Sequence, residues 1–149
     1  MKTDVAQNLH EVLGNLPENV QLVAVSKYHP KEYIEAAYAE GQRVFGESHE
    51  QELKLKKAEL PQDICWHFIG HLQTNKVKYI APYIDMVEAV DSFKLLKEIN
   101  KQALKNNRII DVLIELHIAV EETKYGFALD DCRNMLKDGE WRSLENVRI

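Results

Sequence analysis

The chain has few cysteine, glycine and proline residues, and this scarcity limits the kinds of protein it can be. Its 149 residues include two cysteines, six glycines and four prolines. Cys65 and Cys132 lie far apart and form no C-x-x-C motif. Two widely spaced thiols are typical of unpaired cysteines in a reducing compartment, so we expect a cytoplasmic protein.

Long apolar runs and an excess of positive charge are also missing. No segment approaches the roughly 20 apolar residues that span a bilayer, and residues 1–14 lack the apolar core of a signal peptide. The chain carries 19 Lys and Arg against 24 Asp and Glu, which gives a net charge of -5. We therefore expect no membrane association and no general attraction to nucleic acid.

Several motifs that would point to a reaction are absent as well. No G-x-G-x-x-G motif or P-loop follows an apolar run. No set of His, Cys, Asp and Glu has the spacing of a zinc site, and no serine lies in the context of a nucleophile elbow. The sequence therefore predicts neither a metal centre nor a nucleotide-binding loop.

The sequence does contain short apolar runs that alternate with helical patterns. After a leading helix at 4–13, runs of strand length occur at 21–27, 43–48, 65–70, 85–90, 109–120 and 147–149. Helical patterns separate these runs, at 30–41, 50–60, 72–81, 93–107 and 129–139. Strict alternation of this kind predicts a parallel sheet covered by helices, within one domain.

Two architectures share this alternation, an open doubly wound sheet and a (β/α)8 barrel. A complete barrel needs about 250 residues and eight strand–helix units, which is more than this chain contains. The lack of a glycine-rich nucleotide motif weakens the open sheet. In both architectures ligands bind at the carboxyl ends of the strands.

Residues at those strand ends form the candidate site, and most of them can donate, accept or titrate. They are Ser26, Lys27, Glu47, Ser48, His49, His67, Gly70, Glu88, Asp91 and His117. A lysine amine in apolar surroundings is a better nucleophile because burial disfavours its ammonium form, and it can form a Schiff base with an aldehyde. Most lysines at strand ends are nevertheless simply solvated. A strand histidine is more often structural than catalytic, although His117 interrupts an apolar run and needs a partner or a ligand there.

Five stretches occur in a fixed order along the chain. They are AVSK at the end of the first strand, FGES followed by QE after the second, WHFIGHLQTNK, VDS before a helix, and EETKYGF after the fifth strand. Together they resemble the pyridoxal-phosphate homeostasis protein family, the single-domain relatives of the alanine racemase barrel. The resemblance implies a (β/α)8 TIM barrel of the alanine racemase N-terminal type, here with a leading helix and five to six strand–helix units.

The resemblance also implies a cofactor and a role. Lys27 matches the family lysine that holds pyridoxal phosphate as an internal aldimine, with Ser48, His67 and His117 as further cofactor-binding residues. Ser48 and His117 stand where the family usually has Asn. The implied function is intracellular homeostasis of pyridoxal 5'-phosphate, without an established catalytic activity. The alternative is a pyridoxal-phosphate-dependent amino-acid racemase, which needs acid–base groups on both faces of the aldimine.

Members of this family continue through further strand–helix units, whose loops bind the phosphate group. The chain resembles about the first two-thirds of a member, so residues 1–149 are predicted to be the N-terminal part of a cofactor-binding barrel domain whose C-terminal part is absent. An incomplete barrel leaves sheet edges unpaired and apolar surface in water. We therefore expect the chain to self-associate or to be unstable alone, and to bind the cofactor weakly.

Overall fold

The computed structural model describes residues 2–120 and 125–149. These residues divide into two compact units, Met1–His67 and Phe68–Ile149. Strands and helices alternate within each unit, which confirms the order predicted from the apolar periodicity. Neighbouring strands in each unit also follow the order of the chain, as expected when a helix connects each parallel strand to the next.

The first unit begins with a helix and continues with three strands and two further helices. Its elements are α1 (Lys2–Gly14), β1 (Ala24–Val25), α2 (Lys31–Ala39), β2 (Val44–Glu47), α3 (Glu50–Glu59) and β3 (Cys65–Phe68). β1 and β2 are parallel, with Ala24 opposite Phe45 and Val25 opposite Gly46. β3 is the neighbour of β2. Parallel pairing places the carboxyl ends of β1 and β2 at the same edge of the sheet.

The bounds of α2 follow from residues that the sequence places at its two ends. Pro30 is the N-cap residue, with φ of -68°, and its fixed φ suits the start of a helix. The helix ends before Gly41, which has φ of +100°, a conformation that glycine adopts without steric cost. Ile34 and Ala37 face inward and are buried, as their spacing predicts.

Aromatic and aliphatic side chains from both strands and helices fill the core of the first unit. Phe45 of β2 and Trp66 of β3 are each about 1% exposed, and their ring centroids lie 6.1 Å apart. Leu53 of α3 is fully buried. Because α3 contributes to this core, its buried face lies against the strands that carry the candidate site.

The second unit contains three strands, three helices and two short 3-10 turns. Its elements are a 3-10 turn (Thr74–Lys76), α4 (Val77–Ile80), β4 (Met86–Val90), α5 (Phe93–Lys105), β5 (Ile110–Ile114), α6 (Leu129–Asp138), a 3-10 turn (Glu140–Ser143) and β6 (Val147–Arg148). β5 pairs in parallel with β4 on one side and with β6 on the other. α5 buries Leu96, Ile99 and Ala103 completely, as the helical spacing of these three residues predicts.

The fifth strand is much shorter than its apolar run, and the prediction for His117 was wrong in this respect. β5 ends at Ile114, and its last paired residue lies opposite Val90, the last residue of β4. Ile118 and Val120, farther along the run, are 91% and 99% exposed. His117 therefore lies beyond the strand and is half-buried, rather than buried within it. β5 ends at this point because β4, its hydrogen-bonding neighbour, ends there. The apolar composition of a run does not indicate where the neighbouring strand ends.

Three smaller predictions also need correction. β1 has two residues instead of seven. The helix predicted at 72–81 is divided into a 3-10 turn and the four-residue α4. The helical pattern at 129–139 predicts that Cys132, Met135 and Leu136 face inward. Cys132 and Met135 are buried, but Leu136 is 42% exposed because it lies at the border of the apolar face. The stretch EETKYGFA at 121–128 is predicted to be a loop, and its first half lies outside the described residues.

Candidate functional site

Three of the four predicted site residues lie in the first unit. Lys27 follows β1 after one intervening residue, and Ser48 follows β2 directly. Both are half-buried, whereas His67 lies inside β3 and is 7% exposed. Because β1 and β2 are parallel neighbours, the backbone brings Lys27 and Ser48 to the same edge of the sheet.

Lys27 is carried by a tight turn between β1 and α2. The Ser26 N–H donates to the Gly46 carbonyl over 3.0 Å, and the His29 N–H donates back to the Ser26 carbonyl over 3.1 Å. Tyr28 has φ of +65°, which is uncommon for a residue other than glycine. The turn therefore holds its shape against a local conformational cost, and other contacts must offset that cost.

Within the described part of the chain, the amine of Lys27 is not engaged in an ion pair. Its Nζ lies 5.9 Å from the centroid of the Tyr28 ring. Among residues 2–120 and 125–149, no carboxylate or carbonyl accepts a hydrogen bond from this amine. Lys27 thus presents a partly shielded amine that is not held by a counter-charge.

A buried carboxylate lies directly beneath this turn. Glu47, the last residue of β2, is fully buried. Its Oε1 accepts a hydrogen bond from Ser26 Oγ over 2.9 Å and one from Lys56 Nζ over 2.5 Å. Burial raises the pKa of Glu47, although the hydrogen bonds from Lys56 and Ser26 oppose that rise. Glu47 Oε2 has no hydrogen-bond partner in the described part of the chain.

Lys56 of α3 provides the counter-charge and also reaches the turn itself. Its Nζ donates to the Ser26 carbonyl over 2.7 Å and to Glu52 Oε1 over 2.8 Å. Glu52 Oε1 accepts in addition from the Tyr28 N–H over 2.6 Å. Partial burial tends to raise the pKa of Glu52, but the bonds from Lys56 and Tyr28 outweigh it and lower that pKa.

Lys56 and Glu52 are not among the residues predicted from the sequence, although one signal was available for them. Lys56 falls between Leu53 and Leu60 at helical spacing, on a face whose other members are buried. A lysine on the apolar face of a helix requires a buried acceptor. Glu47, at the end of a buried strand, meets that requirement.

The fourth predicted residue, His117, lies in the second unit, in the segment that follows β5. The His117 N–H donates to the Phe127 carbonyl over 2.8 Å, and the Phe127 N–H donates to the Glu115 carbonyl over 2.7 Å. Gly126, with φ of +128°, makes this approach possible, because a Cβ there would lie 2.5 Å from the His117 nitrogen. The returning chain therefore needs glycine at this position.

A cavity of about 330 Å³ opens beside His117. Its lining residues, all from the second unit, are His71, Glu115, Leu116, His117, Ile118, Ala119 and Tyr125. The ring of His71 stacks on that of Tyr125, with centroids 3.8 Å apart and planes 9° apart. His71 Nδ1 also lies 3.2 Å from Asp91 Oδ2.

The charges around this cavity act on Glu115. Partial burial raises the pKa of Glu115, the negative charge of Asp91 raises it further, and His71 partly offsets both. Within the described residues, no group of three or more His, Cys, Asp or Glu side chains is arranged to hold a metal ion. In the same residues, no helix has the length and apolarity needed to cross a bilayer.

The parallel strands joined by helices and the site at the strand ends are typical of a ligand-binding α/β protein. Comparison with known families identifies which one. The chain belongs to the alanine racemase, N-terminal domain family, which it matches over residues 2–149. This match confirms the predicted fold class, a (β/α)8-type barrel of which the chain contains an incomplete set of strands.

Comparison with individual relatives gives a more specific assignment within this family. The chain is 42% identical over 145 residues to a protein of Aquifex aeolicus named pyridoxal phosphate homeostasis protein, which confirms the resemblance found in the sequence. The alignment covers 96% of this chain but 62% of that relative. The chain thus spans less than two-thirds of the length of this curated relative.

Solved structures show the same relationship in three dimensions. PipY of Synechococcus elongatus, solved without PLP, superposes with a TM-score of 0.91 at 35% identity, over 97% of this chain and 67% of that one. PipY with PLP bound superposes with a TM-score of 0.87 at 34% identity over the same shares of the two chains. The backbone of this chain therefore matches about two-thirds of a protein that has been solved with the cofactor.

Proposed function

We propose that the chain binds pyridoxal 5'-phosphate on Lys27 and takes part in intracellular homeostasis of this cofactor. The names of its relatives support this proposal, as does the PLP bound to PipY. The observation that carries it is the amine of Lys27, which lies at the carboxyl end of a parallel strand and is not engaged in an ion pair with any described residue.

The chemistry of Lys27 fits the aldehyde end of the cofactor. A neutral amine adds to an aldehyde carbon, a carbon–nitrogen double bond forms, and the aldehyde oxygen leaves as one molecule of water. The half-buried position of the side chain shields the new bond from water.

We assign supporting roles to the remaining predicted residues. Ser48 lies at the same sheet edge as Lys27 and offers a hydroxyl that can donate or accept a hydrogen bond. His67, in β3, and His117, beyond β5, each remain proposed as cofactor-binding residues. Among these four residues, the covalent role of Lys27 has the most direct chemical support.

The proposed role is that of a carrier and not of an enzyme. The name of the relatives refers to homeostasis and not to a reaction. A racemase would exchange the α-hydrogen of a free amino acid with solvent. The proposal therefore expects no deuterium in alanine incubated in heavy water with the chain and cofactor, beyond what the cofactor alone produces. Faster exchange would favour the racemase alternative.

Lys27→Ala provides the decisive test of cofactor binding. The unmodified chain should develop the absorbance of the carbon–nitrogen double bond when pyridoxal phosphate is added, and borohydride should then fix the cofactor on the peptide that contains Lys27. Lys54→Ala, at an exposed lysine of α3, should behave as the unmodified chain does. If the band persists in Lys27→Ala, Lys27 does not hold the cofactor.

We propose in addition that the chain self-associates. Exposed apolar side chains along and after β5 support this, namely Leu113, Leu116, Ile118 and Val120. The molecular mass from light scattering should rise above 17.3 kDa as the protein concentration increases. A mass that stays at the monomer value up to about 100 μM would contradict this proposal, since weak association is detected in that range.

The proposed location is the cytoplasm. Cys65 and Cys132 form no disulfide bond within the described residues, as is usual in a reducing compartment. Cell fractionation with an antibody against the chain would test this location directly.

A further inference from the structure

Two side chains of α3 contact the turn that carries Lys27. The carbonyl of Ser26 belongs to the peptide group before Lys27, and the N–H of Tyr28 belongs to the peptide group after it. Lys56 donates to that carbonyl over 2.7 Å, and Glu52 accepts from that N–H over 2.6 Å. Both peptide groups that adjoin the Lys27 Cα are therefore held from the same helix.

These two side chains are themselves held in place. Lys56 is 7% exposed, and its three N–H donors have three acceptors, namely the Ser26 carbonyl, Glu47 Oε1 and Glu52 Oε1. Glu47 is fully buried and also accepts from Ser26 Oγ. Each member of this network thus contacts either another member or the turn.

Such a network determines conformation more than it contributes stability. Taking an ammonium and a carboxylate out of water costs free energy that their attraction often fails to recover, so apolar replacements of buried ion pairs can be neutral. Directed hydrogen bonds to two successive peptide groups, however, leave little freedom to the φ and ψ of the residue between them. That residue is Lys27.

We propose that Lys56, Glu47 and Glu52 are positioning residues for Lys27, and that they fix the backbone from which its side chain reaches the aldehyde. This inference rests on the proposed function of Lys27. None of the three residues is proposed to touch the cofactor. Their effect is to keep the Lys27 Cα at one place on the sheet edge, so that less backbone freedom is lost on binding.

The first experiment needs no cofactor and measures hydrogen exchange of the Tyr28 amide in the 149-residue chain. Glu52→Ala removes the acceptor of this amide at a partly exposed position, and exchange should become about tenfold faster, because bonds to charged groups are among the stronger ones. Glu59→Ala is the matched control, since it breaks an ion pair of α3 with Lys31 that does not involve the turn. Its Tyr28 exchange should equal that of the unmodified chain.

The second experiment measures the apparent affinity for pyridoxal phosphate from the absorbance band. Glu52→Ala should weaken binding by about tenfold, the cost of one lost charge-assisted bond. Glu52→Gln retains an oxygen that accepts from the Tyr28 N–H and should restore most of the affinity. If Glu52 acted only in folding, Glu52→Ala would lower the midpoint of thermal unfolding, and Glu52→Gln would not restore the affinity for pyridoxal phosphate.

A double variant separates positioning from folding. Lys56→Met combined with Glu47→Gln removes both buried charges together, so neither is left unpaired. It should unfold near the temperature of the unmodified chain and yet bind pyridoxal phosphate about tenfold more weakly, since the bond to the Ser26 carbonyl is lost. Lys54→Met, at an exposed site on the same helix, should change neither quantity.

The results distinguish the failure of this inference from the failure of the proposed function. Unchanged Tyr28 exchange in Glu52→Ala, or unchanged affinity in a folded double variant, would overturn the positioning role. If the unmodified chain forms no band at all, the proposed function fails and the positioning role fails with it, even where Tyr28 exchange shows that α3 fixes the turn.

Discussion

At the scale of single residues, two lysines near one turn have opposite surroundings. Lys56 is buried and has three hydrogen-bond acceptors. Lys27 is half-buried, and its Nζ contacts the Tyr28 ring without a recorded acceptor among the described residues. An ammonium with all its donors satisfied acts as a fixed structural charge, whereas an amine without a counter-charge remains available for reaction.

Glu115 provides a prediction on pH dependence at this scale. Partial burial and the charge of Asp91 raise its pKa in the folded state, so the folded state binds this proton more tightly than the unfolded state. The contribution of Glu115 to stability is therefore present at low pH and is lost as the pH rises from the unfolded pKa through the folded pKa.

Glu115→Gln should accordingly be more stable than the unmodified chain at neutral pH. This difference in the free energy of unfolding should shrink as the pH falls through the folded pKa of Glu115, and it should vanish below the unfolded value. Urea unfolding at a series of pH values measures it, and Glu145→Gln controls for the loss of one exposed charge. A difference that grows towards acid would contradict the direction of the pKa shift.

The sequence makes Lys27 a candidate site residue but does not reveal the network beneath it. Lys27 stands at the end of an apolar run, where parallel sheets bind ligands, and the family resemblance singles it out among the strand-end residues. Lys56 instead meets the Ser26 carbonyl across 30 residues of chain. Its spacing from Glu52 suggests an ordinary surface pair of a helix, and only the packing of α3 shows that the pair is partly buried.

At the scale of elements, α5 shows how the apolar face of a helix stabilises the second unit. Ile99 is fully buried, and Ser92 caps the helix by accepting from the Leu95 N–H over 3.0 Å. Ile99→Ala should cost about 2–5 kcal/mol, because the lost transfer free energy adds to that of the cavity. Leu104→Ala, at a 59% exposed position of the same helix, should cost less than about 0.5 kcal/mol.

Urea unfolding of the two variants checks this expectation. The midpoint should fall clearly for Ile99→Ala and remain nearly constant for Leu104→Ala, with similar slopes for both. Equal losses in the two variants would mean that α5 does not pack as described.

The helices were easier to predict from the sequence than the strands. A helix satisfies most of its backbone hydrogen bonds within itself, so period and caps such as Ser92 and Pro30 nearly determine its bounds. A strand depends on its neighbour. β5 stops at Ile114 because Val90 is the last residue of β4, although the apolar run continues to Val120.

At the scale of the whole molecule, the family fold and the proposed ligand make a joint prediction. A ligand that binds only the folded state raises the free energy of unfolding in proportion to the logarithm of its concentration. Pyridoxal phosphate at about 100 times its dissociation constant should therefore add about 2.7 kcal/mol. For a chain of this size, that corresponds to a rise of roughly 5–10 °C in the unfolding midpoint.

Two comparisons show whether this stabilisation depends on the covalent bond to Lys27 or on non-covalent contacts. Pyridoxine 5'-phosphate, which has no aldehyde, should raise the midpoint much less, because it cannot form the carbon–nitrogen bond with Lys27. Lys27→Ala should respond equally weakly to both compounds. If pyridoxal phosphate stabilises Lys27→Ala as strongly as it stabilises the unmodified chain, the cofactor is held without a covalent bond to this lysine, and binding must then come from contacts with the ring and the phosphate.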